Sequence, residues 1–341
     1  MTALTRAHQE LFRRTPDETF ETLQSLWDHC DRQKDRSTDR WFAPRELSAA
    51  ISDGRLMMSL GSDGAFLMND WSFSQFCRLA DVHKDTVNRL TPATASQVFQ
   101  ETLPRGTKPF QLLTEERRVR SLHGSVYTRL WNADLVMMLR EFATDFQPPQ
   151  KGTTGGTGLY AGEQDLFAFL IDPLGWVEIE GENYAPGFFV WNSEVGRRSL
   201  GIETFWFEAV CENHLVWDPI EVCEFTTKHT SKIQDGLATI RSMIETIVQK
   251  RDERKDGFAA MVRKALETKL GDDADEVFKN VCKNGIPRSV AKEAISIAQE
   301  KGRLTVWSVV DALTRLAQRH ENAGDRTEAD QKAASLLSLV A

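Results

Sequence analysis

The segment Arg117-Arg118-Val119-Arg120, followed by Tyr127, Arg129 and Trp131, gathers guanidinium groups and aromatic rings in one short stretch. Guanidinium groups neutralise nucleic-acid phosphates, and aromatic rings stack on unpaired bases for about 1–3 kcal/mol each. On a β-strand, Arg118 and Arg120 share one face and Val119 takes the other. The same residues also suit an ordinary solvated strand face beside an aromatic core. From Arg105 to Arg129 six basic residues meet only two acidic ones, Glu115 and Glu116, in a chain of net charge −8. That total argues against bulk coating by nucleic acid, but a local basic groove depends on local potential.

A second basic site lies in the stretch from Trp191 to His214, which reads strand, polar turn, strand. Arg197 and Arg198 sit in its turn beside Asn192, Ser193 and Ser199. Turn amides and guanidinium groups make an anion site, and the same turn equally suits intrachain or intersubunit salt bridges. Lys228 completes the cationic set. Together Arg117, Arg118, Arg120, Arg197, Arg198 and Lys228 are expected to contact phosphates, with Arg129 in the same basic segment and Tyr127 or Trp131 stacking on bases.

Other constellations are weaker. Cys211, His214, Cys223 and His229 are zinc-ligand types, yet both cysteines sit in alternating strand patterns and read as buried core. His229 is the right type to carry a proton, but no partnered nucleophile accompanies it. Glu178, Glu180 and Glu182 alternate on a strand end, as Mg2+ ligands or as a solvated face. Gly152 to Gly158 lacks the Lys-Ser/Thr of a phosphate-binding loop. No catalytic residue, metal or cofactor is expected.

These groups must be positioned by elements that the hydrophobic spacing outlines. Residues 4–34 read as a helix, restarted at Pro16-Asp17 with Thr15 as its cap. Arg55 to Met68 reads as a hairpin around Gly61-Ser62-Asp63-Gly64. Helices are expected from Ser72, from Lys84 and from Ala93, the last capped by Thr91, and over Asn132–Phe142. Phe110–Leu113 and Arg117–Leu122 read as paired strands. Strands are expected over 166–171, 176–179, 187–192, 201–212 and 215–217. Helices are expected over 233–255, 258–270, 274–282, 289–301, 305–320 and 328–339. The fold class is α+β: a mixed helical and hairpin N-terminal half (1–145), a Gly/Thr/Pro-rich loop (146–158), a central antiparallel sheet (159–232) and a helical C-terminal region (233–341).

The 341 residues, 41% hydrophobic and 27% charged, describe a soluble globular chain. It has no apolar run of about 18 residues that would span a membrane. Met1 to Arg14 carries no apolar leader core, so secretion is not expected. Five scattered cysteines, an odd number, point to reduced thiols in a cytoplasm.

An ordered set of segments carries a family resemblance. They are Trp71-Ser72-Phe73-Ser74-Gln75-Phe76-Cys77, then Val119 to Tyr127, Asn132-Ala133-Asp134-Leu135, Pro186-Gly187 and Asn192-Ser193-Glu194-Val195-Gly196. Cys211-Glu212-Asn213, Lys228-His229-Thr230 and Val306 to Thr314 follow. In this order the chain resembles the phage- and plasmid-borne family known as domain of unknown function nine-three-two, with His214 departing from the small residue of that pattern. The resemblance implies mobile-element DNA metabolism and a distant likeness to single-strand annealing proteins. The expected function is therefore non-enzymatic binding or annealing of single-stranded DNA by a homo-oligomer. A self-assembling structural protein and a metal-dependent nucleic-acid enzyme are the alternatives.

Overall fold

The computed structural model describes residues 10–149, 158–208, 214–217, 224–300, 302 and 304–340. In chain order its first half runs β1 (Glu18–Phe20), α1 (Leu23–Asp35), β2 (Ser37–Phe42), β3 (Leu47–Ser52), β4 (Arg55–Leu60), β5 (Ala65–Met68), α2 (Asp70–Leu79), α3 (Lys84–Val87), α4 (Pro92–Thr102), β6 (Phe110–Glu115), β7 (Arg118–His123) and α5 (Asn132–Phe142). The second half continues with β8 (Leu159–Ala161), β9 (Leu166–Ile171), β10 (Val177–Ile179), β11 (Glu182–Asn192), β12 (Leu200–Glu208), β13 (His214–Trp217) and β14 (Phe225–Thr227). Helices α6 (Ile233–Gln249), α7 (Arg251–Glu267), α8 (Ala274–Lys283), α9 (Arg288–Glu300), α10 (Val306–Ala317) and α11 (Ala323–Ala334) close the chain. The architecture is α+β. Among the described residues no helix is long and apolar enough to cross a membrane.

The first sheet has the order β2-β6-β7-β5-β4-β3. Its pairs are antiparallel except β5 with β7, which run parallel through Leu67↔Arg118 and Met68↔Val119. Alternation drives it: Leu56, Met58 and Leu60 are buried while Arg55, Met57 and Ser59 are not. The buried side meets Phe73 and Phe76 of α2 and Phe99 of α4, where the Phe76 and Phe99 rings stack at 4.5 Å.

The second sheet has the order β1-β8-β9-β11-β12-β13, with β10 paired to β11 and β14 to β12. Both of its faces are covered. Leu166, Ala168, Leu170, Phe188 and Val190 face α1, α5 and α6. Phe167, Phe169, Phe189, Trp191, Phe205 and Phe207 make an aromatic layer on the other side, against α11. Tyr184 and Trp206 continue into the core of the C-terminal bundle, stacking on or edging Phe258.

Three expected elements are corrected. Residues 10–17 are not helical, and α1 begins at Leu23 with Thr22, not Thr15, as its capping side chain. The apolar spacing there serves tertiary contacts instead: Leu11 N donates to Asn88 O at 3.0 Å, and the Phe12 ring stacks on Phe73 at 4.4 Å. Residues 18–20 pair with β8 as a strand. The helix expected over 233–255 breaks at Lys250. The α6 isoleucines pack on the second sheet while Phe258 and Val262 of α7 pack in the bundle, and one straight helix cannot do both. The last helix spans Ala323–Ala334 rather than 328–339, with a 3-10 turn after it.

Candidate functional site

The turn between β11 and β12 is interior. Asn192, Ser193, Glu194 and Val195 are all buried, and the turn reaches from the second sheet into the first. Trp71 Nε1 of α2 donates to Val195 O at 2.8 Å, and Tyr127 donates its hydroxyl hydrogen to Ser193 O at 3.2 Å. Asn132 N, opening α5, donates to Glu194 Oε2 at 3.0 Å. Gly196 adopts φ +70°, and a Cβ there would collide with the His123 ring.

Glu194 organises two of the expected phosphate ligands. Arg120, 3% exposed, lies 2.7 Å from Glu194 Oε1 and donates to Gln33 Oε1 at 2.9 Å. Arg129, 8% exposed, donates to the Glu194 carbonyl and pairs with Asp39 at 2.7 Å. Buried, paired guanidinium groups of this kind cannot turn to a solvent-borne phosphate without leaving a carboxylate unpaired. Arg120 and Arg129 are therefore structural, contrary to expectation. The β6–β7 ladder is bulged at Arg120, passing from Thr114↔Val119 to Leu113↔Ser121. Arg120 lines the same small cleft as Arg118, but Gln33 of α1 and Glu194 of the turn hold its guanidinium.

Three further expected contacts are committed elsewhere. Arg198 holds Asp165 at 2.9 Å and Glu328 at 2.7 Å, the salt-bridge reading of the turn. Arg117 donates to Asp63 O and Ala65 O at 2.9 and 2.8 Å and lies over Phe66 at 4.4 Å, fastening the β4–β5 hairpin. The Tyr127 ring already stacks on His123 at 3.7 Å and lies against His229 at 5.2 Å, so it is engaged internally rather than presented to a base. Trp131 is half-buried, with Arg129 at 5.3 Å and Lys34 at 6.0 Å from its ring. Burial holds both imidazoles neutral, aided at His123 by Arg129: His123 is lowered to about 3 and His229 to about 4.

Arg118, Arg197 and Lys228 remain exposed. Arg197 lies 5.8 Å from the Trp71 ring. Arg118 has a richer setting. It lines a cleft of about 570 Å³ with Arg13 and Arg55, between the N-terminal segment, the β3–β4 turn and the start of α2. Among the described residues no ion pair or hydrogen bond is made by the guanidinium group of any of the three. The floor is apolar, with Leu11, Phe12, Leu56 and Leu67. Three carboxyls share the lining, Glu10, Asp70 and Glu163. Asp70 is taken up by Lys84 at 2.6 Å. Glu163 is pushed up to about 7, by burial first and then by the Asp70 charge.

Sequence reasoning found Arg118 and missed Arg13, Arg55 and Glu163. Arg55 follows the Asp53-Gly54 turn, where both residues have positive φ, but only the parallel pairing of β5 with β7 brings that turn toward Arg118.

Of the zinc-type residues, Cys211 and Cys223 lie outside the described residues, as do residues 152–157 of the glycine-rich loop. Among the described residues no group of three or more His, Cys, Asp or Glu side chains is placed to hold a metal ion. Glu178, Glu180 and Glu182 are exposed at the β10–β11 turn, the solvated alternative. Cys30 and Cys77 are buried thiols pushed upward by that burial, Cys77 to about 12. Comparison of the sequence with family models, with curated proteins and with solved structures finds no match.

Proposed function

We propose that this protein binds single-stranded DNA without acting on it chemically, and that the cleft around Arg118 holds the backbone. The observation that carries the reading is the convergence of three unpaired guanidinium groups, Arg13, Arg55 and Arg118, on one apolar-floored cleft. Of the other expected arginines, Arg117, Arg120, Arg129 and Arg198 are consumed by internal partners. Unpaired guanidinium groups facing water are the form of arginine that neutralises phosphates. Apolar side chains such as Phe12 and Leu67 suit the faces of unpaired bases. Arg197 and Lys228 serve as outer contacts. The resemblance to the phage and plasmid family suggests a role in mobile-element DNA metabolism, and the scattered cysteines suggest a cytoplasm; a homo-oligomer is part of the proposal.

Titration of a fluorescent single-stranded oligonucleotide at low salt tests the reading. Three neutralised phosphates give a slope of about −2 in log K against log salt, from ~0.7 per phosphate on single strands. Alanine at Arg55 and Arg118 together weakens binding by at least tenfold at low salt. No binding by the wild-type chain at low salt sinks the proposal.

A second reading, self-assembly as the function itself, is favoured by the two edges of the first sheet. Strands β2 and β3 end it, and each exposes a large apolar side chain, Trp41 at 51% and Ile51 at 48%. Unpaired strand edges are templates for pairing with another chain. Light scattering behind a sizing column reads this directly: a monomer at micromolar concentration ends it.

A further inference from the structure

We infer that Glu163 is a proton-sensitive gate of the Arg118 cleft, closing it to phosphates as the carboxyl ionises. The inference rests on the single-strand reading above and names its regulation. Glu163 stands in the turn between β8 and β9. It lines the 570 Å³ cleft and also a smaller one of about 150 Å³, and Thr15, Asn69 and Arg118 are shared with it. The two clefts therefore meet at this side chain, and a backbone running from one to the other passes it.

The carboxylate is incompletely satisfied. Its Oε1 is buried without a hydrogen-bond partner among the described residues, while the backbone N–H of Asp70 donates to the carboxyl group. A buried carboxylate oxygen without a donor is costly in its charged form. The surrounding charges are mixed. From the N-terminal segment come Arg13, Glu10 and Arg14, the last already paired with Asp17 and Asp165. From α2 and α3 come Asp70 and Lys84, paired with each other. Arg118 and Arg120 of β7 and Glu115 of β6 face the smaller cleft, with Glu18 of β1 and His29 of α1; Arg120 is already held by Glu194.

Burial and the Asp70 charge raise Glu163 to about 7, against smaller opposing effects of Arg14, the Asp70 N–H and Lys84. Below that value the group is a neutral acid that does not repel a phosphate. Above it, the group is an anion beside the path of another anion. Affinity thus falls as pH rises through 7. His29 also faces the smaller cleft; burial lowers it below its ordinary value, and a His29→Gln variant separates its contribution.

The test uses the full chain and a 20-residue oligo(dT), whose phosphodiesters keep their charge throughout. Wild type is expected to bind about tenfold more weakly at pH 8 than at pH 6. Glu163→Gln, which keeps the shape without the charge, is expected to bind alike at both, within twofold, and at pH 8 more tightly than wild type. His29→Gln is expected to keep the wild-type difference. Wild-type binding that is equal at the two pH values, or a pH effect that persists in Glu163→Gln, overturns the gate and leaves the single-strand reading standing. Absence of binding at both pH values overturns the reading and the gate together.

Discussion

Glu194 serves three partners at once: Arg120 through one carboxylate oxygen, Asn132 N through the other, and Arg129 through its carbonyl. Removing one side of a buried pair leaves the other charge without water or counter-ion. Glu194→Ala is expected to cost about 3–5 kcal/mol, the usual penalty for breaking such a pair, read as a lowered urea midpoint with unchanged slope. Gly196→Ala is expected to be destabilising too, by at least the ~1 kcal/mol that a left-handed non-glycine residue costs. Its new Cβ must also displace His123, whose ring stacks on Tyr127. The same neighbourhood explains what the sequence did not reveal about single residues. Arg120 and Arg129 look like surface cations because residue type carries no burial. Arg120 has Glu115 nearby at 3.7 Å, but the partners that bury the pair stand far away in sequence: the Glu194 carbonyl is 65 residues beyond Arg129, and Asp39 lies 90 before it. Only Arg118 has the environment that its type and strand position suggested.

Elements were legible where periodicity and end signals agree. Helix α5 was expected over Asn132–Phe142 and β9 over Leu166–Ile171, and both span those residues. Thr91 caps α4 as expected, and Asp273 caps α8. The failures have physical causes. Leu11, Phe12 and Phe20 keep helical spacing, but Asn88 takes the backbone of residues 11 and 12 and β8 takes that of residues 18–20. Nothing local announces a partner so distant. Helix α10 offers a prediction at this scale. Its capping box joins Thr305 and Ser308, and the helix carries Trp307, Val310 and Leu313 into the bundle core. Thr305→Ala is expected to lower stability by about 1 kcal/mol, typical for loss of an N-cap. Amide hydrogen exchange is expected to place the loss in the C-terminal helices first. Uniform loss of protection across both sheets would count against a locally acting cap.

For the whole molecule, buried titrating groups oppose one another across pH. Glu163, Glu203 and Glu208 are each raised from 4.5 to about 7, chiefly by burial. A raised carboxyl contributes stability that is complete below its unfolded value and is lost as pH rises through the folded one. His123 and His229 are lowered from 6.5 to about 3 and about 4. A lowered histidine contributes stability above its unfolded value that is lost as pH falls through the folded one. Between pH 4.5 and 6.5 the two sets pull in opposite directions; just below that window only the histidines act, and from 6.5 to about 7 only the carboxyls. The thermal midpoint is therefore expected to peak in mildly acidic buffer, and Glu203→Gln to raise it more at pH 8 than at pH 5. A midpoint that climbs steadily from pH 5 to pH 8 would contradict the assignment. The interior turn has one more effect, on synthesis. Arg129 leaves the ribosome 65 residues before Glu194 does. At about 5–20 residues per second, that gap is on the order of 3 to 13 seconds. During it the nascent first sheet carries two guanidinium groups whose shared acceptor has not yet been translated. Those pairs wait on a turn from the other half, so a ribosome stalled between the halves holds Arg120 and Arg129 without that acceptor.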